Sequence, residues 1–231
     1  SAESVGKLAM GYNRLASEMG ATTLEVAKGS LEFIRQGKSA EDTAVLIRNS
    51  TMMSKLANME STEATDRLTS IMNGFKMEAQ DTGVVIDKLV ALDNAYATSV
   101  NEIATAMKYG SNSAQQVGVD FDHLAAYITV VSSTTRMSAE TIGQSMKTLF
   151  ARMTDIKQGF DIGEGTDVNI NNVEKSLRHA GVALRDSAND FRDMQDVLYD
   201  LGLVWDSLTE VEQNNIAKQV AGVRQKEQFL V

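Results

Sequence analysis

Two histidines, His123 and His179, are the side chains best suited to acid–base or metal chemistry near neutral pH. They stand far apart with no HExxH spacing, and the chain has no Cys to share a metal with them. Both read as helix-surface or part-core residues. Asp167, Asn169 and Asn171 alternate as the first three ligands of a calcium-binding EF-hand loop do. The sixth place, which needs Gly for its sharp turn, is Asn172, and the twelfth, which needs a bidentate Glu, is Arg178. A cation where the ion needs an anion defeats the loop, and the stretch reads as a turn ending in an Asn helix cap. Asp186, Asp190, Asp193, Asp196 and Asp200 are dense enough to suggest paired carboxylates for hydrolysis. Asp193 and Asp196, however, fall where a helix N-terminus favours negative charge, and Asp186 and Asp190 fall in a turn. No GxSxG elbow or phosphate-cradling Gly loop occurs. No catalytic, cofactor-binding or metal-binding residue is assigned.

The elements that would position any of these residues are helices. The 231 residues include no Pro, although ordinary usage would supply roughly ten, and Pro is the residue that breaks helix interiors. Caps are expected at Thr22, Ser39, Ser61, Asp81, Ser99, Asp120 and Ser138, each followed by apolar residues three and four apart. Leu68, Ile71, Met72, Phe75 and Ala79 make one stripe, and Val85, Leu89, Leu92 and Tyr96 a second. Ile142, Met146, Leu149, Phe150 and Met153 make a third. Ser99 with Glu102 and Thr209 with Glu212 have the spacing of capping boxes. Helices this short are marginal alone in water and persist by burying their stripes against one another. The 12 Met residues fall largely on these stripes, where a flexible thioether fills irregular gaps.

The expected fold is mainly α, a compact array of short antiparallel helices with one small β-hairpin near residues 182–192. There Val182 and Leu184 alternate with Ala183 and Arg185 before a polar turn, and Phe191 brings the chain back. Three parts are expected: a helical array over 1–158, a Gly/Asn/Asp-rich loop or linker over 159–172, and a helix–hairpin–helix–helix module over 173–231. Asp193 is expected to cap the helix restarting at Met194, and Trp205, beside Leu201 and Leu208, to anchor the last two helices together.

A net charge of −9 repels phosphate, so no nucleic-acid contact is expected. No apolar run approaches the ~20 residues of a membrane span. The first residues lack the pattern of a signal peptide and include no initiating Met, which reads as a segment of a longer chain.

From Val173 to Leu230 the chain carries, in order, Gly181-Val182, Leu184-Arg185-Asp186, Phe191-Arg192-Asp193, Trp205-Asp206, and Ala221-Gly222 with Arg224-Gln225. On these residues the stretch closely resembles the core region of phage tail tape measure proteins. The stretches 37–56, 61–77, 99–133 and 138–153 are similar to the family in the same order, so the likeness spans about Ala21 to Leu230. It implies a structural role for the fourteen motif residues and no cofactor. It also implies a scaffold and length ruler for tail tube assembly, in a phage or prophage with a long tail (siphovirus or myovirus), which leaves the tube during DNA delivery. The implied partners are tail tube protein, tail assembly chaperones and baseplate or distal tail proteins, with self-association possible. The implied place is the lumen of the tail tube, after synthesis in the bacterial host cytoplasm. Two other readings compete: a helical interaction module, such as a chaperone-like adaptor or secretion-system component, and an enzyme using the 159–172 loop and the Asp cluster.

Overall fold

The computed structural model describes residues 2–154, 172–187 and 190–231, with side chains from residue 9 onward. The described residues form eleven α-helices. They are α1 Ala2–Met19, α2 Thr23–Arg35, α3 Ala40–Leu56, α4 Ser61–Gly74, α5 Thr82–Ala95, α6 Val100–Gln116, α7 Phe121–Thr135, α8 Ala139–Met153, α9 Asn172–His179, α10 Met194–Val204 and α11 Glu210–Phe229. Single 3₁₀ turns occupy Ala79–Asp81 and Trp205–Ser207. Backbone contacts divide the chain into two compact units, residues 1–108 and 109–231. The 159–172 linker expected from sequence lies, Asn172 apart, outside the described residues, as do Asp167, Asn169 and Asn171.

Most helices begin as the sequence dictates. Thr22, Ser39, Asp120, Ser138 and Thr209 each accept a backbone N–H from the third residue on, and Thr22–Glu25 and Thr209–Glu212 close full capping boxes. Ser99 likewise accepts from the N–H of Glu102, at 3.1 Å. Two caps differ. Glu60 rather than Ser61 precedes α4 and makes no side-chain cap bond. Asp81 stands before α5, but its carboxylate accepts from the N–H of Glu78 at 3.0 Å, serving the 3₁₀ turn.

Helix ends repeat one device. After a residue in the left-handed region, the next N–H reaches back to the carbonyl five residues earlier: Lys38 to Phe33 at 3.2 Å, Met59 to Ser54 at 3.0 Å, Met77 to Met72 at 2.8 Å, Val119 to Ala114 at 2.9 Å and Val182 to Leu177 at 2.9 Å. Asn58 and Lys76 take the left-handed place where Gly is usual, at φ 48° and 55°. Met59 is buried and Met77 partly buried, the apolar contact that accompanies this stop.

In the first unit α3 packs against α1, α2, α4 and α5. Val26, Phe33, Leu46, Met53, Leu68, Ile71, Ile86 and Leu89 are wholly buried there. Gly29 lets α2 approach α3, since a Cβ at that position would collide with Ile47. The interior of α3 also carries Asn49, Ser50, Thr51 and Ser54, all buried. The Asn49 amide donates to Thr82 Oγ1 at 2.8 Å and Thr82 in turn to the Ala79 carbonyl at 2.6 Å, tying α3 to the start of α5. Tyr96, expected at the end of an apolar stripe, is 54% exposed. It sits at the C-cap of α5 in extended backbone, so the helical register no longer carries it inward.

In the second unit α8 packs against α7, α9 and α11, and α9 also meets α11. The stripe Ile142, Met146, Leu149, Phe150 and Met153 is buried throughout. Residues 182–192 do not form the expected β-hairpin. Among the described residues there is one antiparallel bridge, between Arg185 and Phe191, with the Arg192 N–H donating to the Leu184 carbonyl at 3.2 Å. The physical reason lies in the helix stop. Gly181, at φ 80°, ends α9, and Val182 is the apolar residue that follows such a stop. Val182 and Leu184 alternate because both dive into the core, at 2% and 0% exposed, and not because a ladder pairs them.

Candidate functional site

The motif residues Gly181 to Asp193 gather around a buried carboxylate. Glu174, on α9, is wholly buried; its two oxygens accept from Arg178 at 2.8 Å and from Arg185 at 3.1 Å. The Arg185 side chain is 9% exposed, and its guanidinium lies 5.0 Å from the centre of the Phe191 ring, within cation–π range. A buried carboxylate persists only when paired and hydrogen-bonded, and the two cations supply that.

The turn is fixed by its own polar groups. The Asp186 N–H donates to the Asp190 carbonyl at 3.0 Å, and Ser187 Oγ donates to the Asp190 carboxylate at 2.6 Å. Arg192 then clamps both sides, donating to the Ala183 carbonyl at 2.9 Å and to Asp200 of α10 at 2.7 Å. The five aspartates therefore do not converge: Asp190 closes the turn and Asp200 faces Arg192.

Asp193 occupies the N-cap position of α10 without the side-chain cap bond expected of it. Its carboxylate instead lies over Gly118, where a Cβ would strike it. Two further bonds pin the start of α10 to the α6–α7 turn: Met194 N–H to the Val117 carbonyl at 2.8 Å, and Asp120 N–H to Gln195 Oε1 at 3.2 Å.

The last motif residues shape the joint between α10 and α11. The Trp205 ring meets Phe229 edge to face at 5.9 Å, while Gln213 donates to the Trp205 carbonyl at 2.8 Å. Asp206 is exposed in the 3₁₀ turn. Ala221 and Gly222 are buried, and Gly222 takes φ 79° and ψ 170°, so that α11 is two helical segments with a break between them. Arg224 is exposed and Gln225 half-buried just beyond it. An apolar cavity of about 400 Å³ beside this joint is lined by Tyr127, Leu149, Phe150, Leu201, Trp205 and Phe229 among others.

The histidines stand apart from this cluster and from each other. His123 Nδ1 lies 2.9 Å from Asp120, and His179 Nε2 lies 3.5 Å from Glu212. Burial pushes the Asp120 carboxyl up, but hydrogen bonds from the His123 backbone and ring outweigh it and hold the group below its usual range. Tyr127 is pushed up to about 12 by burial, then by the nearby charges of Asp120 and Asp196. Among the described residues no three His, Asp or Glu side chains gather to hold a metal ion, and no helix is long and apolar enough to cross a membrane.

Sequence reading missed Glu174, Arg152, Gly118 and the break at Gly222. For Glu174 the available signal was Arg178 one turn on, the spacing of a helical ion pair, which by itself marks a surface contact.

No solved structure matches the chain. A family of known proteins does match, described as phage-related minor tail proteins, over residues 13–222. That span covers most of each compact unit and every motif residue from Gly181 to Gly222. The chain therefore belongs to the family of phage-related minor tail proteins.

Proposed function

We propose that, within this tail family, the chain is the core segment of a tape measure protein: a scaffold and ruler for tail tube assembly, with no catalytic role. The observation that supports this most is the near-complete family match along a chain whose described residues are almost wholly helical. A ruler requires length that scales with residue number, and a fully helical chain of 231 residues would reach about 350 Å at 1.5 Å per residue. On this reading the chain lies in the lumen of the tail tube after synthesis in the host cytoplasm. It contacts tube protein, assembly chaperones and baseplate or distal tail proteins, and departs at DNA delivery.

The fourteen motif residues are proposed to be structural, holding the 173–231 module, with 159–172 as the linker that separates it from the array over 1–158. The ion-paired loop and the pinned start of α10 suit a building part that must fold alone before it is assembled.

The test is tail length. An in-frame deletion within residues 40–150 of the phage-borne gene is expected to give shorter tails by electron microscopy, in proportion to the residues removed. Tails of unchanged length would overturn the ruler reading while leaving family membership intact.

A further inference from the structure

The break in α11 is sharp, and named contacts show how sharp. Gln213 holds the Trp205 carbonyl at 2.8 Å and Phe229 holds the same residue's ring at 5.9 Å between centroids. In an unbroken helix residues 213 and 229 would stand about 24 Å apart, beyond the reach of one Trp side chain. The segment after Gly222 therefore folds back toward the start of α11. Gly222 makes this possible with φ 79° and ψ 170°, a backbone region open essentially to Gly alone.

Two features hold the fold-back from outside the helix. Arg152, in the last turn of α8, donates from Nε to the Gln219 carbonyl at 3.4 Å, three residues before the break. Its guanidinium also rests against Gly222, where an added Cβ would lie 2.9 Å from a terminal nitrogen. Phe229 is the second hold, through Trp205.

The sequence on both sides of Gly222 nevertheless carries a single helical register. Ile216, Val220, Val223 and Leu230 follow one another at spacings of four, three and seven, one face of a continuous helix interrupted only by Glu227. In the bent form Ile216 and Val220 are buried at 2% and 0%, whereas Val223 is 76% exposed and Leu230 41%. Val223 thus stands in water although its register places it on the face that Ile216 and Val220 bury, as a straight helix would allow.

We propose that α11 is a two-state latch: bent at Gly222 and locked by Arg152 and Phe229, or straight over Glu210–Phe229 with Val223 joining the apolar face. Straightening withdraws Phe229 from Trp205 and opens the apolar cavity beside it. The inference stands on backbone geometry and register, and it holds independently of the ruler reading.

The test is distance and fluorescence on the full chain. The chain has no Cys and one Trp, so spin labels at V211C and E227C and the emission of Trp205 are both unambiguous. In a straight helix these Cα atoms stand about 24 Å apart. Pulsed electron resonance is expected to show a population well short of that distance in the parent chain. In G222A, where Ala resists the left-handed backbone, the population is expected to move to about 24 Å with Trp205 emission shifted to the red. R152Q keeps Gly222 and removes the guanidinium; a larger long-distance fraction at unchanged far-ultraviolet circular dichroism supports the latch. If G222A retains the short distance, the latch is refuted. If G222A loses its helicity, R152Q decides: no long-distance population in it refutes the latch, and its appearance supports it.

Discussion

Removing the charge of Arg185 is the perturbation that bears hardest on the ion-paired loop. Glu174 is wholly buried and Arg185 is 9% exposed, while Arg178 is 55% exposed. The Arg178 arm, largely in water, is worth what surface pairs are worth, about 0.5 kcal/mol. Leaving a buried charge without its buried partner costs about 3–5 kcal/mol. Because Arg178 still reaches Glu174 in R185M, the low end applies, about 3 kcal/mol. E174M takes from Arg185 its buried carboxylate and is expected to cost about as much, whereas R178M is expected to cost under about 1 kcal/mol. The double variant E174M/R185M removes both charges and keeps the volume, so it is expected to fall within about 1 kcal/mol of the parent. The assay is urea unfolding read by the fluorescence of Trp205, the sole Trp, which lies in the same compact unit. At a urea slope of about 1–3 kcal/mol per molar, R185M lowers the midpoint by roughly 1 M or more. A double variant as weak as the sum of the single ones would refute the reasoning, as would R178M and R185M of equal cost.

Four further outcomes follow from the same contacts. Phe150 is wholly buried in the α8 stripe, so F150A is expected to cost about 3–5 kcal/mol, measured by the same Trp205 titration. G118A meets two obstacles, φ 73° and the Asp193 side chain, whose Cβ as well as its carboxylate lies too close; G118A/D193G, compared with D193G, should recover the collision part and leave about 1 kcal/mol of backbone strain in the melting temperature. The Glu25 carboxyl is held below its usual range by the Thr22 backbone and then its hydroxyl, and Glu212 by the Thr209 hydroxyl and then its backbone. A lowered folded value gives stability that is present above the unfolded value of 4.5 and lost as pH falls through the folded one, so T22V/T209V should flatten the drop in melting temperature below about pH 4.5. Tyr127, raised from 10.0 to about 12, works in the opposite direction: its contribution is intact below pH 10 and lost between 10 and about 12, and ultraviolet titration should find one tyrosine ionising late.

What was legible in the sequence was whatever is decided within one helical turn. A hydroxyl or carboxylate before an apolar run dictates a helix start, and Thr22, Ser39, Asp120, Ser138 and Thr209 all make that bond. Stripes at three and four spacing dictate burial, and the α8 stripe obeys. The failures share a cause. Val182 and Leu184 alternate like strand residues, but the alternation was produced by a helix stop at Gly181 followed by two core contacts, a distinction no local pattern carries. Asp193 sits where a cap belongs, yet its carboxylate faces Gly118, remote in sequence. Glu174 resembled half of a surface ion pair until Arg185 closed over it.

The break at Gly222 is the most instructive of these failures, because there the local pattern is right and incomplete at once. Thr209 and Glu212 start a helix, and Ile216, Val220, Val223 and Leu230 continue its register across the break. Nothing local demands a bend, since a Gly in a helix interior costs only about 1 kcal/mol and is tolerated. At the bend, partners elsewhere in the same unit make contact, Arg152 on one side and Trp205 on the other. On the proposed latch, the two arrangements of this helix differ by a handful of contacts. On the proposed tape-measure reading, such a joint would let the part lengthen by releasing Phe229 and Arg152. The distance measurement across Gly222 tests the joint itself, and tail length tests the reading, so either can fail without the other.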